Sequence, residues 1–357
     1  MNPGRGPAPG GEARGGGPAG TGDDEVWMAE AVALGQGVRA LTSPNPWVGA
    51  VVVPAGEGPV SLGATAPPGG PHAEATALEL AADSARGATV YVTLEPCSHH
   101  GRTPPCADAL IAAGVRRVVV ALEDPDPQVS GAGLARLRDA GVEVHLGVGA
   151  AEAARSLAPY LKHRRRQRPW VVLKLAATLD GRIAAPDGTS QWITGPEARA
   201  DVQRLRAESD AIAVGAGTAR ADNPALTVRD PGVDPGRQPL RVILGRAPEG
   251  ARALPALEHS GDPAALLDEL GRRGVIQLLV EGGAGVAGEL HRLGLVDQYV
   301  FYYAPAVMGG DDGRPMFAGP GVPTMSALGR GRITSVRAIG PDVRIDLLAA
   351  PNSDAVP

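Results

Sequence analysis

The stretch ATVYVTLEPCSHHGRTPPCADALIAAG, residues 88–114, decides the fold of the first half of the chain. ATVYV is a short β-branched and aromatic run of the kind that forms a buried strand. Pro104-Pro105, then CADALIAA, then Gly114 has the Pro entry and Gly exit of a helix. Between them lies a turn-rich loop, with the only two cysteines, Cys97 and Cys106, at its ends. Strand, loop and helix make half of an α/β repeat, and the alternation continues on both sides. Upstream come a helix in VWMAEAVALGQGV (26–38), a turn and buried strand in PNPWVGAVVV (44–53) and a helix in PHAEATALELAADSA (71–85). Downstream come a strand (115–125), a helix (134–141) and a strand (142–148). This order predicts a three-layer α/β/α domain over residues 25–150.

At 357 residues the chain is long enough for two domains, and 43% apolar with 20% charged residues describes a globular protein. Residues 1–24 are over half Gly and Pro with no apolar core, which reads as a disordered tail and not a secretory signal. A cytoplasmic location is therefore expected, and two cysteines there point to metal or catalytic work before a disulfide framework. No apolar run reaches the ~18 residues of a membrane span. A net charge of -5 and 3% aromatic residues argue against nucleic acid as partner and for small-molecule substrates. Residues 152–168 read as a helix running into one basic run, KHRRRQR (162–168), which is taken as the solvated face of a linker over residues 151–168; an RNA-editing deaminase using it is the competing reading.

Pro169 opens a second α/β domain, residues 169–350, followed by a short tail, 351–357. Its strands are read in PWVVLKLAA, AIAVGAG, PLRVILG, VIQLLVEGG, QYVFYYAPAVM and VRIDLL, its helices in 198–210 and 285–294. Gly283, Gly285 and Gly288 give G-x-G-x-x-G between a strand and a helix, a phosphate-cradling pattern that is weak on its own. No acidic residue ends the following strand, which suits NADP better than NAD. Lys174 sets one charge among the apolar residues of its strand, and Thr218, Asp222, Leu226 and Arg229 share one polar loop. The apolar 298–308 run is read as an exposed late strand and a candidate dimer interface.

A catalytic zinc takes three protein ligands and keeps a fourth position for water, whose pKa it lowers towards neutrality. Cys97 and Cys106 supply two ligands, and His72 is the third candidate. His72 and Glu74 would diverge by roughly 200° on a regular helix. Both can face one metal only if His72 sits in an irregular first turn, and Pro71 favours that. Glu74 is then placed to carry a proton to leaving ammonia, as in the H-x-E with P-C…C pattern of zinc nucleobase deaminases. A closed structural zinc site that includes the Glu, a Cys97–Cys106 disulfide, and competition from His99 or His100 are the bland alternatives.

At these residues the chain resembles a known family. SPNPWVGAVVV, HAEATALELA and VTLEPCSHHGRTPPC resemble the deaminase half of the bifunctional riboflavin-biosynthesis deaminase/reductases. PWVVLKLAATLDGRIA, GAGTARADNPALTVR, LLVEGGAGVAGEL and APAVMGGDDGRP resemble successive blocks of the reductase half. The resemblance implies a cytidine-deaminase-like domain followed by a dihydrofolate-reductase-like domain. It implies one Zn2+ on His72, Cys97 and Cys106, with Glu74 catalytic and Asn45 on the pyrimidine ring; Arg102 in the long cysteine loop would reach a phosphate. It places NADPH on Ala176, Trp192, Thr218, Asp222 and the loop Gly283, Ala284, Gly285, Val286, Ala287, Gly288, Glu289. It places a phosphoribosylaminopyrimidine substrate on Lys174, Ser190, Arg206, Leu226, Arg229 and Glu281, with Arg206 and Arg229 as bidentate phosphate partners. A homo-oligomer, dimer or tetramer, is expected. The chain departs from the family at Gly245-Arg246, where Asp is usual, and residues 247–274 are read as too short for the family's additional strand.

Overall fold

The computed structural model describes residues 21–98, 104–127, 129–229 and 236–350. The chain forms two compact units: residues up to Gln36 with Val48–Ala153, and Gly37–Trp47 with Ala154 onward.

The first unit contains most of α1 (Thr21–Thr42), then β1 (Gly49–Val53), β2 (Ser61–Ala64), α2 (Ala73–Ala81), β3 (Thr89–Val92), α3 (Cys106–Ala112), β4 (Arg117–Val120), α4 (Ala132–Asp139), β5 (Glu143–Leu146) and the start of α5 (Ala150–Ser156). The sheet order is β2-β1-β3-β4-β5; β1 runs antiparallel to both neighbours, and β3, β4 and β5 are parallel. Register fixes the layers. Val51, Tyr91 and Val119 pack with Met28, Ala31 and Val32 of α1. Gly63, paired with Ala50, has no room for a Cβ, which would meet Ala73 O of α2 at 2.1 Å. Residues adjacent along a strand point to opposite faces, so α1 and α2 cover opposite sides of the sheet, as the three-layer expectation requires.

Thr21–Asp24 belong to the first turn of α1, and Asp24 is buried. Its carboxylate accepts from Tyr91 Oη at 2.8 Å and from both terminal nitrogens of Arg117 at 2.8 Å. Arg117 is the largest influence holding the Asp24 carboxyl below its ordinary range.

The second unit continues with α6 (Ala158–Arg166), β6 (Trp170–Thr178), β7 (Arg182–Ala184), α7 (Pro196–Ala207), β8 (Ala211–Gly215), α8 (Ala216–Asp222), β9 (Leu240–Leu244), β10 (Leu257–His259), α9 (Pro263–Arg272), β11 (Gln277–Val280), α10 (Ala284–Arg292), β12 (Gln298–Ala304), β13 (Arg314–Pro315), β14 (Gly331–Ile339) and β15 (Asp342–Ala349). Eight strands form one sheet, β10-β9-β8-β11-β6-β12-β15-β14, parallel up to β12 and antiparallel beyond; β13 and β7 pair separately. Val171, Leu173, Ala211, Ala213, Leu278 and Val280 pack under α9 and α10. Val172, Ile212, Val214, Ile243 and Leu279 pack under α7 and α8. With both faces covered, β8 and β11 are buried at every position, which explains why they are apolar apart from Gln277 at the start of β11.

Three expectations are corrected here. The helix expected over 152–168 is present as α5 and α6, but the basic run is only partly solvated: Arg165 and Arg166 are exposed, whereas Lys162 Nζ pairs with Asp297 at 2.6 Å, His163 is buried, and Arg168 pairs with Asp268 at 2.5 Å. Residues 247–274 do hold an additional strand, β10, in parallel register with β9 from Leu257↔Val242 to His259↔Leu244. The 298–308 run is not an exposed strand, since β12 lies inside the sheet between β6 and β15. The outer strand is β14, where Ile333 and Val336 are 59% and 60% exposed.

Candidate functional site

His72 is the N-cap of α2, with extended backbone at φ -75° and ψ 164°, outside the helix as its pairing with Glu74 demands. Cys97 follows β3, and Cys106 opens α3 directly after Pro105. These three elements bring the ligand atoms of His72, Cys97 and Cys106 within 4.8 Å of one another. His72 Nδ1 stands 3.2 Å from Cys106 Sγ and 3.6 Å from Cys97 Sγ, and the Cys106 N–H donates to Cys97 Sγ at 3.3 Å. Contacts from Cys106, and then from His72, pull the Cys97 thiol below its ordinary value despite burial. Two free thiols and an imidazole converging without a disulfide are a donor set that suits zinc. His99, His100 and Arg102 lie outside the described residues.

Glu74 sits in the first turn of α2, 4% exposed, beside this cluster. Burial pushes its carboxyl up to about 7, with His72 and the α2 backbone opposing. Asn45 falls in Gly37–Trp47, which groups with the second unit; its N–H donates to Thr42 O at 2.8 Å.

No local sequence pattern marks what holds the segment carrying Cys97. Glu95, 4% exposed, accepts N–H bonds from Gly131 and Gly133 at 2.9 Å and from Asp124 and Leu134 at 3.3 Å. It ties the segment carrying Cys97 to the first turn of α4. Gly133 permits this approach, because a Cβ there would meet Pro96 O at 1.9 Å.

In the second unit a cavity of about 960 Å³ lies at the carboxyl ends of β6, β8 and β11, where parallel α/β sheets bind ligands. It gathers Lys174, Ala176, Ser190, Trp192, Arg206, Thr218, Asp222, Leu226, Arg229, Glu281, Gly283, Ala284, Gly285 and Val286. Ala287, Gly288 and Glu289 do not line it. Ala287 is buried in the core, Glu289 is exposed, and Gly288 lets α10 pack on the chain, since its Cβ would lie 2.0 Å from Ala318 O. The glycine run thus divides between a cavity-facing first turn and a packing contact.

Arg206 differs from expectation too. Its Nε and Nη2 donate to Glu281 at 2.6 and 3.0 Å, and its Nη1 to Thr227 O at 3.0 Å, so all three nitrogens are engaged. Burial pushes the Glu281 carboxyl up, but Arg206 and then Lys174 outweigh it and hold Glu281 below its ordinary value. Burial is the chief influence lowering Lys174. Arg199, Arg252 and Arg314 also line the cavity; Arg199 stacks over Trp192 at 4.5 Å. No local pattern marks these three, because α7, β13 and the loop after β9 meet only in the folded chain. The arrangement offers a cation-rich pocket for anionic ligands around one buried carboxylate.

Both units match known family models. Residues 21–122 match the family model for the cytidine and deoxycytidylate deaminase zinc-binding region, and residues 169–345 match that for the RibD C-terminal domain. The riboflavin biosynthesis protein RibD of Escherichia coli K12 is 42% identical over 367 residues, covering 92% of this chain and all of that protein. Among solved structures, Acinetobacter baumannii RibD is 37% identical with a TM-score of 0.85, covering 93% of this chain and 100% of that one. A diaminohydroxyphosphoribosylaminopyrimidine deaminase/5-amino-6-(5-phosphoribosylamino)uracil reductase from Thermotoga maritima is 34% identical with a TM-score of 0.80, covering 92% and 99%. With such likeness along nearly its whole length, the chain belongs to the RibD family of riboflavin biosynthesis proteins.

Proposed function

We propose that this enzyme carries out two successive steps of riboflavin biosynthesis. The first unit hydrolyses the 2-amino group from 2,5-diamino-6-(5-phosphoribosylamino)pyrimidin-4(3H)-one, releasing ammonia. The second reduces the ribosyl group of 5-amino-6-(5-phosphoribosylamino)uracil to ribityl with NADPH. The observation that carries this reading is the convergence of His72, Cys97 and Cys106 beside buried Glu74.

Zinc bound by His72, Cys97 and Cys106 supplies a Lewis acid that makes water nucleophilic near neutral pH. Glu74 moves the protons. A carboxyl titrating near 7 is ionised often enough to accept a proton from water and protonated often enough to deliver one to the departing amino nitrogen. Its burial keeps bulk water from competing for that proton. Asn45 is assigned to the pyrimidine ring.

NADPH supplies the hydride in the second unit. Thr218, Asp222, Ala176, Trp192 and the turn Gly283–Val286 hold the cofactor, and Ser190, Leu226 and Glu281 the substrate. Lys174, half-buried on β6, faces the ribose. Arg206, with its nitrogens committed, fixes the Glu281 carboxylate, while exposed Arg229 is the better partner for the substrate phosphate. Two free thiols suit a reducing cytoplasm. No helix among the described residues is long and apolar enough to cross a membrane. Self-association as a dimer or tetramer would use the exposed strand β14 in place of β12. The test supplies purified protein with the diaminopyrimidine nucleotide and NADPH and follows ammonia release and NADPH oxidation separately; no ammonia release refutes the first step, and ammonia release without NADPH oxidation refutes the second.

A further inference from the structure

Cys97 is braced from two sides, and one side ends in a buried carboxylate that the proposed reaction does not use. The first side is the start of α3. Cys97 O accepts the Ala107 N–H at 3.1 Å, and Cys97 Sγ accepts the Cys106 N–H at 3.3 Å. The second side is the start of α4. The first N–H groups of a helix have no partner within it and carry partial positive charge. α4 brings no answer of its own, since its N-cap Gly131 makes no side-chain bond and its first turn holds no acid. Glu95, in the loop after β3, supplies both. Its Oε1 accepts from Gly133 and Leu134, its Oε2 from Gly131 and Asp124, and its own N–H donates to Leu122 O at 2.8 Å. Pro96, between Glu95 and Cys97, is in turn pressed against α4 at Gly133. Arg136 of α4 pairs with Asp108 of α3, which links the two flanking helices as well.

The consequence falls on the metal site. Zn–S bonds of about 2.3 Å and Zn–N bonds of about 2.0 Å in a tetrahedral site set a nitrogen and a sulfur about 3.6 Å apart. His72 Nδ1 stands at 3.6 Å from Cys97 Sγ and 3.2 Å from Cys106 Sγ, close to that spacing. Ligands already held near their working positions lose little freedom when the ion binds. His72 and Cys106 are fixed at the starts of α2 and α3, whereas Cys97 belongs to no helix or strand, so its placement depends on the brace. We propose that Glu95 is a positioning residue of the metal site: by capping α4 it holds Cys97 at ligating distance from His72, and so sets the affinity for zinc. This rests on the reading of His72, Cys97 and Cys106 as a zinc site.

The test is competition between the full chain and a chromophoric chelator for zinc, together with the visible absorption of the Co2+-loaded protein, which is intense only for a tetrahedral site. Glu95→Gln keeps the size of the side chain, but its amide nitrogen cannot accept, so two of the four N–H groups lose their partner. It should bind zinc about 10- to 100-fold more weakly, the usual worth of a group that orients a metal ligand, and lose part of the Co2+ band. Gly133→Ala, whose Cβ would lie 1.9 Å from Pro96 O, should move both readouts in the same direction. Asp24→Ala controls for stability alone. It strips a buried carboxylate from Tyr91 and Arg117 and touches no partner of Glu95, so zinc affinity should stay within about twofold of wild type. Wild-type zinc affinity and Co2+ absorption in Glu95→Gln, whatever its melting temperature, or an equal loss in Asp24→Ala, overturns the assignment of Glu95 and leaves the zinc reading standing. Should Glu95→Gln not fold, Gly133→Ala decides, and unaltered zinc affinity there overturns the assignment. A wild type that binds no zinc refutes the zinc reading and the assignment with it.

Discussion

Replacing Arg206 by Ala tests the electrostatic design of the second cavity. The Arg206 and Glu281 side chains are only 11% and 12% exposed, so solvent screens their pairing little. Breaking a buried ion pair costs about 3–5 kcal/mol because one charge is left uncompensated. Lys174 remains beside Glu281 as a second cation, which reduces the expected loss to about 2–3 kcal/mol. The pH dependence adds a signature. In the wild type Glu281 sits below its ordinary value, so its stabilising contribution is complete above the usual carboxylate range and is lost as pH falls through the folded value. Without Arg206, burial dominates and raises the carboxyl. The sign then reverses, and stability falls as pH rises past the usual carboxylate range. The assay is hydrogen exchange of the buried amides of β11, which reports opening of this unit alone. Arg206→Met with Glu281→Leu should recover the wild-type value to within about 1 kcal/mol, since an apolar pair of similar volume replaces a buried ion pair at little cost. A single variant within about 0.5 kcal/mol of wild type, with an unaltered pH profile, would refute the reasoning.

Other outcomes follow from the same structure. Glu74→Gln should retain stoichiometric zinc and lower ammonia release by about 10²- to 10⁴-fold, the usual worth of a general acid/base, as a coupled ammonia assay would read. Gly288→Ala should destabilise the second unit by about 1–3 kcal/mol, because its Cβ meets the Ala318 carbonyl at 2.0 Å; denaturant unfolding checks this. Asp24→Ala should cost about 2–4 kcal/mol by stranding Arg117 and the Tyr91 hydroxyl. The wild-type contribution of Asp24, whose carboxyl is held low, should fade as pH falls through its folded value, and the variant should lack that acid-side loss in thermal melts.

The convergence of His72, Cys97 and Cys106 was legible in the sequence because their chemistry is unusual and their placement is local. Pro71 and Pro105 mark the helix starts beside His72 and Cys106, and no other residues of the chain offer a thiol. The alternation of strand and helix was legible for the same reason, since apolar runs and Gly or Pro stops lie within one element. What the sequence hid depends on distant partners. Asp24 looks like the end of a polar tail until Tyr91 and Arg117, 67 and 93 residues away, are folded onto it. The pairing of Arg206 with Glu281, 75 residues on, is likewise invisible until the chain is folded. β10 is three residues long at a sheet edge, and β14 has an exposed, mostly polar pattern, so neither carries a strong periodic signal. β12 reads as apolar for either an interior or an interface strand, and only the sheet order decides between them.

In the proposed mechanism His72, Cys97 and Cys106 hold the metal on which deamination depends. The most direct measurement is zinc content against ammonia release during chelator stripping and readdition, with NADPH-dependent reduction of the deaminated intermediate followed in parallel. One zinc per chain is expected, with ammonia release that falls and returns in proportion to zinc and a reductive step that does not change. Undiminished ammonia release from fully stripped protein would contradict it.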